Sequence, residues 1–202
     1  MKLKTADFTL IIVTLATFAG ILFAVNMSIG AILTYVTGTQ GASGIVTGFF
    51  TGFIISLAAL IVPIRHGGPF IFPIMLLFGG YCVIAWPTVL MGPPGPYKIA
   101  VGIAAGAAYD LCARFLPNRI RLHIAWVLFT IILLAGILLF FHLLEFDGIV
   151  AFKKAVWFLF AIFTIEGLCM VFVATWLFKK RLKNQPVALR VHNALIEAGQ
   201  SD

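Results

Sequence analysis

Apolar residues run through this chain in six long stretches, at about Phe8–Val25, Gly44–Pro63, Phe70–Leu90, Ile99–Phe115, Leu122–Leu144 and Val150–Phe178. Each is continuous, without the two-residue alternation that marks a half-buried strand or an outer-membrane barrel. A hydrocarbon core about 30 Å thick is crossed by about 20 apolar residues in a helix. In that solvent a helix also satisfies every backbone polar group within its own segment. The pattern predicts an all-α, polytopic membrane protein with six transmembrane helices in a compact bundle.

The breaks between stretches supply an orientation. Of the 14 Lys and Arg residues, Lys2, Lys4, Arg65, Arg114, Arg119, Arg121, Lys179, Lys180, Arg181, Lys183 and Arg190 fall on one side, and only Lys98, Lys153 and Lys154 on the other. Basic loops stay cytoplasmic, so both termini are expected inside the cell membrane, which an even number of spans requires. Tyr35, Trp86, Tyr97 and Trp157 fall near the outer ends, and Tyr109, Trp126 and Trp176 near the inner ends, as interfacial belts would.

Composition agrees: 62% of residues are hydrophobic and the mean hydropathy is +1.10. The formal net charge of +7 points to anionic lipid rather than nucleic acid, because the basic residues flank the spans, above all Lys179-Lys180-Arg181-Leu182-Lys183. Residues 1–182 read as one six-helix domain and 183–202 as a short cytoplasmic tail. Met1-Lys2-Leu3-Lys4 before an apolar run has the outline of a signal peptide, but the run is long and a retained first span is expected. Cys82, Cys112 and Cys169 lie in separate spans without metal-ligand spacing and read as small buried hydrophobes.

The segment Asn26–Gly41 reads as an uncharged external connection, and Met91-Gly92-Pro93-Pro94-Gly95-Pro96-Tyr97 as a rigid non-helical loop, since proline removes donors and fixes φ. Beyond Pro186, Val187, Val191 and Leu195 recur every four residues and predict a brief amphipathic helix, lying on the membrane surface or docked on a partner, with surface contact the favoured reading.

Small residues recur at the same interval: Ala16, Gly20 and Ala24; Gly44, Gly48 and Gly52; Gly102 and Gly106, leading to Asp110. This spacing stacks them on one helix face, where a second backbone approaches closely. For the second and fourth spans internal packing is expected. In the first span, Phe18, Leu22 and Phe23 seat the helix on its other faces, leaving the small face for either an internal or an external partner.

Charged groups inside a bilayer are costly and mark cavities or contacts. Glu166, within the sixth span, is either a neutral or hydrogen-bonded structural acid or a ligand or partner contact. Asp110 is expected to pair with Arg114 one turn later. No HExxH, Walker loop or Ser/His/Asp arrangement is present, and His66, His123, His142 and His192 are scattered over both sides. No catalytic residue, metal or cofactor is expected, and the chain reads as a non-enzyme.

The chain resembles the substrate-binding S component of energy-coupling factor (ECF) vitamin transporters. The resemblance covers about residues 5–182 and rests on the size and six spans, on Ala16-xxx-Gly20-xxx-Ala24, and on Gly-Pro-Pro-Gly-Pro before the glycine-rich stretch Ile99–Asp110. In that family a first-helix AxxxA motif meets the transmembrane coupling subunit; here Gly20 replaces one alanine. The resemblance implies a small organic micronutrient as ligand, with the coupling subunit and two ATPases supplying the energy. It also implies an outward pocket, for which Trp86, Tyr97 and Trp157 are stacking candidates and Asn26, Lys98 and Glu145 orienting candidates. The competing expectation is a structural membrane subunit of a larger complex, whose small-residue faces serve assembly.

Overall fold

The computed structural model describes residues 5–37, 40–61, 71–85, 95–116, 120–145, 149–186, 189–190 and 193. Among them the chain is all-helical, with α1 (Thr5–Thr37), α2 (Gln40–Ile61), α3 (Ile71–Ala85), α4 (Gly95–Phe115), α5 (Arg121–Leu143) and α6 (Ile149–Leu177). The last helix continues through Phe178–Leu182 in wider π turns. Three segments are long and apolar enough to cross a membrane: Thr9–Thr37, Arg121–Leu143 and Ile149–Leu182. Ile45–Ile61 and Ile71–Ala85 are apolar but shorter.

Two expected loops are helical. The segment after Asn26 does not leave α1, which runs on to Thr37. Its polar side chains turn back onto the preceding turn: Asn26 Nδ2 donates to the Leu22 carbonyl at 2.9 Å, Ser28 Oγ to that of Ala24, and Thr37 Oγ1 to that of Leu33 at 2.6 Å. Residues that look loop-forming in sequence are thus satisfied inside the helix. Gly95, Pro96 and Tyr97 likewise open α4 instead of lying in a loop. Proline suits a first helical turn, where its missing N–H has no intrahelical partner to lose. Met91–Pro94 and the expected tail positions Val187, Val191 and Leu195 lie outside the described residues.

The helices pack as a closed ring in the order α1, α2, α6, α5, α4, α3, with α3 returning to α1. Pairs such as Asn26 with Thr51, Asp110 with Ile71, Tyr109 with Phe129 and Phe141 with Phe152 make α1, α3 and α5 run one way and α2, α4 and α6 the other. One end therefore carries Arg114, Arg121, Lys179, Lys180 and Arg181, and the far end carries Lys153 and Lys154.

The ring is filled by Leu22, Ile55, Ile71, Ile74, Tyr109, Phe129 and Val171, each nearly inaccessible. Trp126 is 3% and Tyr109 0% exposed, so both are core residues rather than members of an interfacial belt. Trp126 stacks on Phe129 at 5.2 Å and 16°, a seat in the bundle that outweighs the indole's preference for an interface. The outside shows Ile12, Ile32, Val83, Leu111, Phe158 and Phe172. An apolar core inside an apolar exterior is the pattern expected of helices able to cross a membrane. Cys82 is buried as expected, but Cys112 is half-buried and Cys169 exposed.

Candidate functional site

The glycine faces sort into two kinds. On α2, a Cβ at Gly48 would lie 3.2 Å from Glu166 and Phe163 of α6, and one at Gly52 3.3 Å from Gly167 and Trp126. On α4, Gly102 and Gly106 face Met75 of α3 at 3.0 Å and 2.8 Å. These glycines permit backbones to approach where a side chain would hold them apart, which is how helices associate when lipid is as apolar as leucine. Gly20 of α1 differs: nothing lies within 4 Å of its would-be Cβ. It borders an open apolar recess of about 290 Å³ between α1 and α3, lined by Gly20, Phe23, Tyr81, Ile84 and Ala85. Two of its lining rings, Phe23 and Tyr81, meet edge to face with centroids 6.0 Å apart. Ala16 is half-buried and Ala24 exposed, so the small face of α1 opens outward beside this recess.

Buried polar groups form two further sites. Asp110 of α4 reaches the start of α3, accepting from the Ile71 N–H at 3.0 Å and the Phe72 N–H at 2.7 Å. It does not serve as the local partner of Arg114, which is exposed. The first amides of a helix lack intrahelical acceptors and carry the positive end of its dipole, so a carboxylate there outcompetes an exposed pair. Pro73, next in line, has no N–H to satisfy.

The second site lies along α2. Asn26 Nδ2 also approaches Thr51 Oγ1 at 3.4 Å, joining α1 to α2. One turn back on α2, Glu166 packs against Gly48, and its Oε2 is enclosed with no hydrogen-bond partner among the described residues. Trp126 Nε1 donates to the Phe163 carbonyl at 3.0 Å, holding α5 to α6 one turn from Glu166. Sequence reasoning read Trp126 as an interfacial residue; the space its indole fills, opened by Gly52 and Gly167, is a tertiary feature with no local signal.

Of the six candidate ligand residues, the described structure places the side chains of three. Asn26 is engaged between α1 and α2. Trp157 stands 78% exposed on α6. Glu145 is exposed just past α5 with φ 48°, the left-handed turn that ends a helix, its N–H donating to the His142 carbonyl at 3.3 Å. Trp86 and the side chains of Tyr97 and Lys98 lie outside the described residues. At the basic end, Lys180 Nζ sits 4.9 Å over the ring of Trp176, an arrangement suited to a headgroup boundary. Among the described residues no group of His, Cys, Asp and Glu could hold a metal ion. Comparison with protein-family models, with curated proteins and with solved structures finds no match to this chain.

Proposed function

We propose that this chain is a non-catalytic integral membrane subunit of an ECF-type micronutrient uptake transporter, the component that binds the substrate. It crosses the cell membrane six times with both termini cytoplasmic, and it docks through α1 on a helix of the coupling subunit, which brings the ATPases. The observation that carries this reading is the open face of α1. Of the small-residue stripes, the one at Ala16, Gly20 and Ala24 has room at its central glycine, whereas Gly48, Gly52, Gly102 and Gly106 are filled from within. Small residues let a second helix approach closely, and the apolar recess beside them accepts a large side chain from that partner. The basic residues at one end, including Lys179-Lys180-Arg181, hold the subunit against anionic headgroups.

A structural subunit of another membrane complex would use the same face, and the engagement of Asn26 between α1 and α2 together with the 78% exposure of Trp157 favours that second reading. One experiment separates them. The tagged chain is purified with and without a panel of vitamins and its thermal unfolding followed. A binder gains stability by mass action, about 2.7 kcal/mol at a ligand concentration 100 times Kd. Stabilisation by one vitamin, together with co-purification of two ATPases that Gly20→Leu abolishes, supports the first reading. Loss of a partner in Gly20→Leu with no response to any vitamin supports the second.

A further inference from the structure

We infer that Glu166 is a proton-binding site within the membrane, carrying its proton at neutral pH and exchanging it at the seam between α2 and α6. The inference does not depend on which partner α1 meets. Glu166 lies near the middle of the 34-residue apolar run Ile149–Leu182, far from either end. Its carboxyl faces α2 at Gly48, with the Phe163 ring alongside, and Oε2 is enclosed without a donor among the described residues. An ionised carboxylate in that position would forfeit its hydration and gain no hydrogen bond, so the neutral acid is the form the seam accommodates.

No neighbouring charge offsets that preference. The packed face of α2 brings no ionisable side chain over its whole length, Gln40–Ile61. Helix α5 carries Arg121 and His123 at its start and His142 at its end, while level with Glu166 it presents the Trp126 indole, already given to Phe163. On α6 itself the nearest ionisable group is Cys169; Lys153, Lys154, Lys179 and Lys180 lie about 18 Å or more along the axis. A metal cation fits less well than a proton. Hard cations demand several oxygen ligands, whereas Glu166 meets Gly48 across the seam and has the Phe163 ring of its own helix alongside, with Thr51 turned to Asn26. Because Glu166 as a whole is only half-buried, the carboxyl remains within reach from the lipid side.

Dicyclohexylcarbodiimide, which partitions into lipid, tests this on the full chain in liposomes. It consumes a protonated carboxyl: the acid proton passes to one carbodiimide nitrogen, a carboxylate oxygen bonds the central carbon, and every atom of both reactants is retained. Peptide mapping of the wild-type chain is expected to find Glu166 modified at about pH 6, with the rate falling about tenfold per pH unit above the group's midpoint. Glu166→Gln should reduce incorporation at least tenfold. Sodium or potassium chloride at about 0.1 M should give no protection relative to choline chloride. A Glu166 peptide left unmodified throughout the pH range would overturn the proposal, and so would protection by sodium or potassium, which would make the site a cation site. The mapping is read on the wild-type chain, so the result stands even if the variant fails to fold.

Discussion

Asp110 and Glu166 are both acids on helices packed against a glycine-lined or proline-bearing neighbour, and the bundle treats them in opposite ways. At the junction of α3 and α4, each Asp110 oxygen receives a backbone N–H, at 3.0 Å and 2.7 Å, and the residue is 4% exposed. At the seam of α2 and α6, Glu166 keeps an oxygen enclosed without a donor. Burial alone does not set the role of a membrane acid; the donors within reach do. Where a helix start supplies amides, the carboxylate becomes a structural clasp. Where the facing helix offers only a glycine and the acid's own helix a ring, the group remains chemically available.

Removing the clasp should have the largest effect. Asp110→Ala leaves the amides of Ile71 and Phe72 without an acceptor in a water-poor interior. Two hydrogen bonds to a charged acceptor contribute about 1.5–3 kcal/mol each, so a loss of about 4 kcal/mol is expected. Denaturation of the purified chain in mixed detergent micelles reads this directly, and Asp110→Asn, which keeps one acceptor, should fall between. A change under about 1 kcal/mol in Asp110→Ala would erase the distinction between the two acids.

Next in size is Gly167→Ala. A methyl group there falls inside the indole of Trp126, which must move and give up its bond to the Phe163 carbonyl. Overpacking of this kind costs about 1–3 kcal/mol. The same denaturation measurement, with Trp126 fluorescence as reporter, should show both the loss and a displaced indole; an unshifted spectrum would mean that the seam is looser than its glycines imply.

The helices and their glycine faces were legible in the sequence because both are local patterns. Apolar runs mark helices, and four-residue spacing of Gly48 with Gly52 and Gly102 with Gly106 marks close contact. What failed was long-range or context-dependent. Two partners of Asp110 lie 39 and 38 residues away at Ile71 and Phe72, and nothing near Asp110 announces them, whereas Arg114 one turn on offered an obvious local pairing. Trp126 near a span end looked like an interfacial anchor until the space beside Gly52 and Gly167 was visible. The segment after Asn26 looked like a loop because Asn, Ser and Thr favour turns, yet in α1 they bond the carbonyl four residues back.

Glu166→Gln should be nearly silent for stability. The amide has the shape of the neutral acid and is likewise uncharged, so unfolding is expected within about 0.5 kcal/mol of wild type. Glu166→Asp would be a poorer test, since shortening the chain withdraws the carboxyl from Gly48. A loss above about 2 kcal/mol in the glutamine variant would mean that the charged form is held by the bundle, and the contrast with Asp110 would collapse.

The smallest effect on the isolated chain is expected at Gly20, and that smallness is what makes it diagnostic. The Cβ of a leucine there has no neighbouring side chain or helix within 4 Å, and the rest of its chain extends beside a recess lined by Phe23, Tyr81 and Ile84. It displaces no side chain of the bundle, and since lipid is as apolar as leucine, covering the recess gains little; stability should stay within about 0.5 kcal/mol. Leucine at Gly48, by contrast, would meet Glu166 and Phe163 at 3.2 Å and should destabilise the fold. In a complex the order reverses. If a partner helix lies across Ala16, Gly20 and Ala24, the new side chain separates the two backbones and co-purification falls, while Gly48→Leu acts only by damaging the subunit. A Gly20→Leu chain that unfolds early would place this face inside the bundle, and one that keeps both its stability and its partners would leave α1 without a docking role.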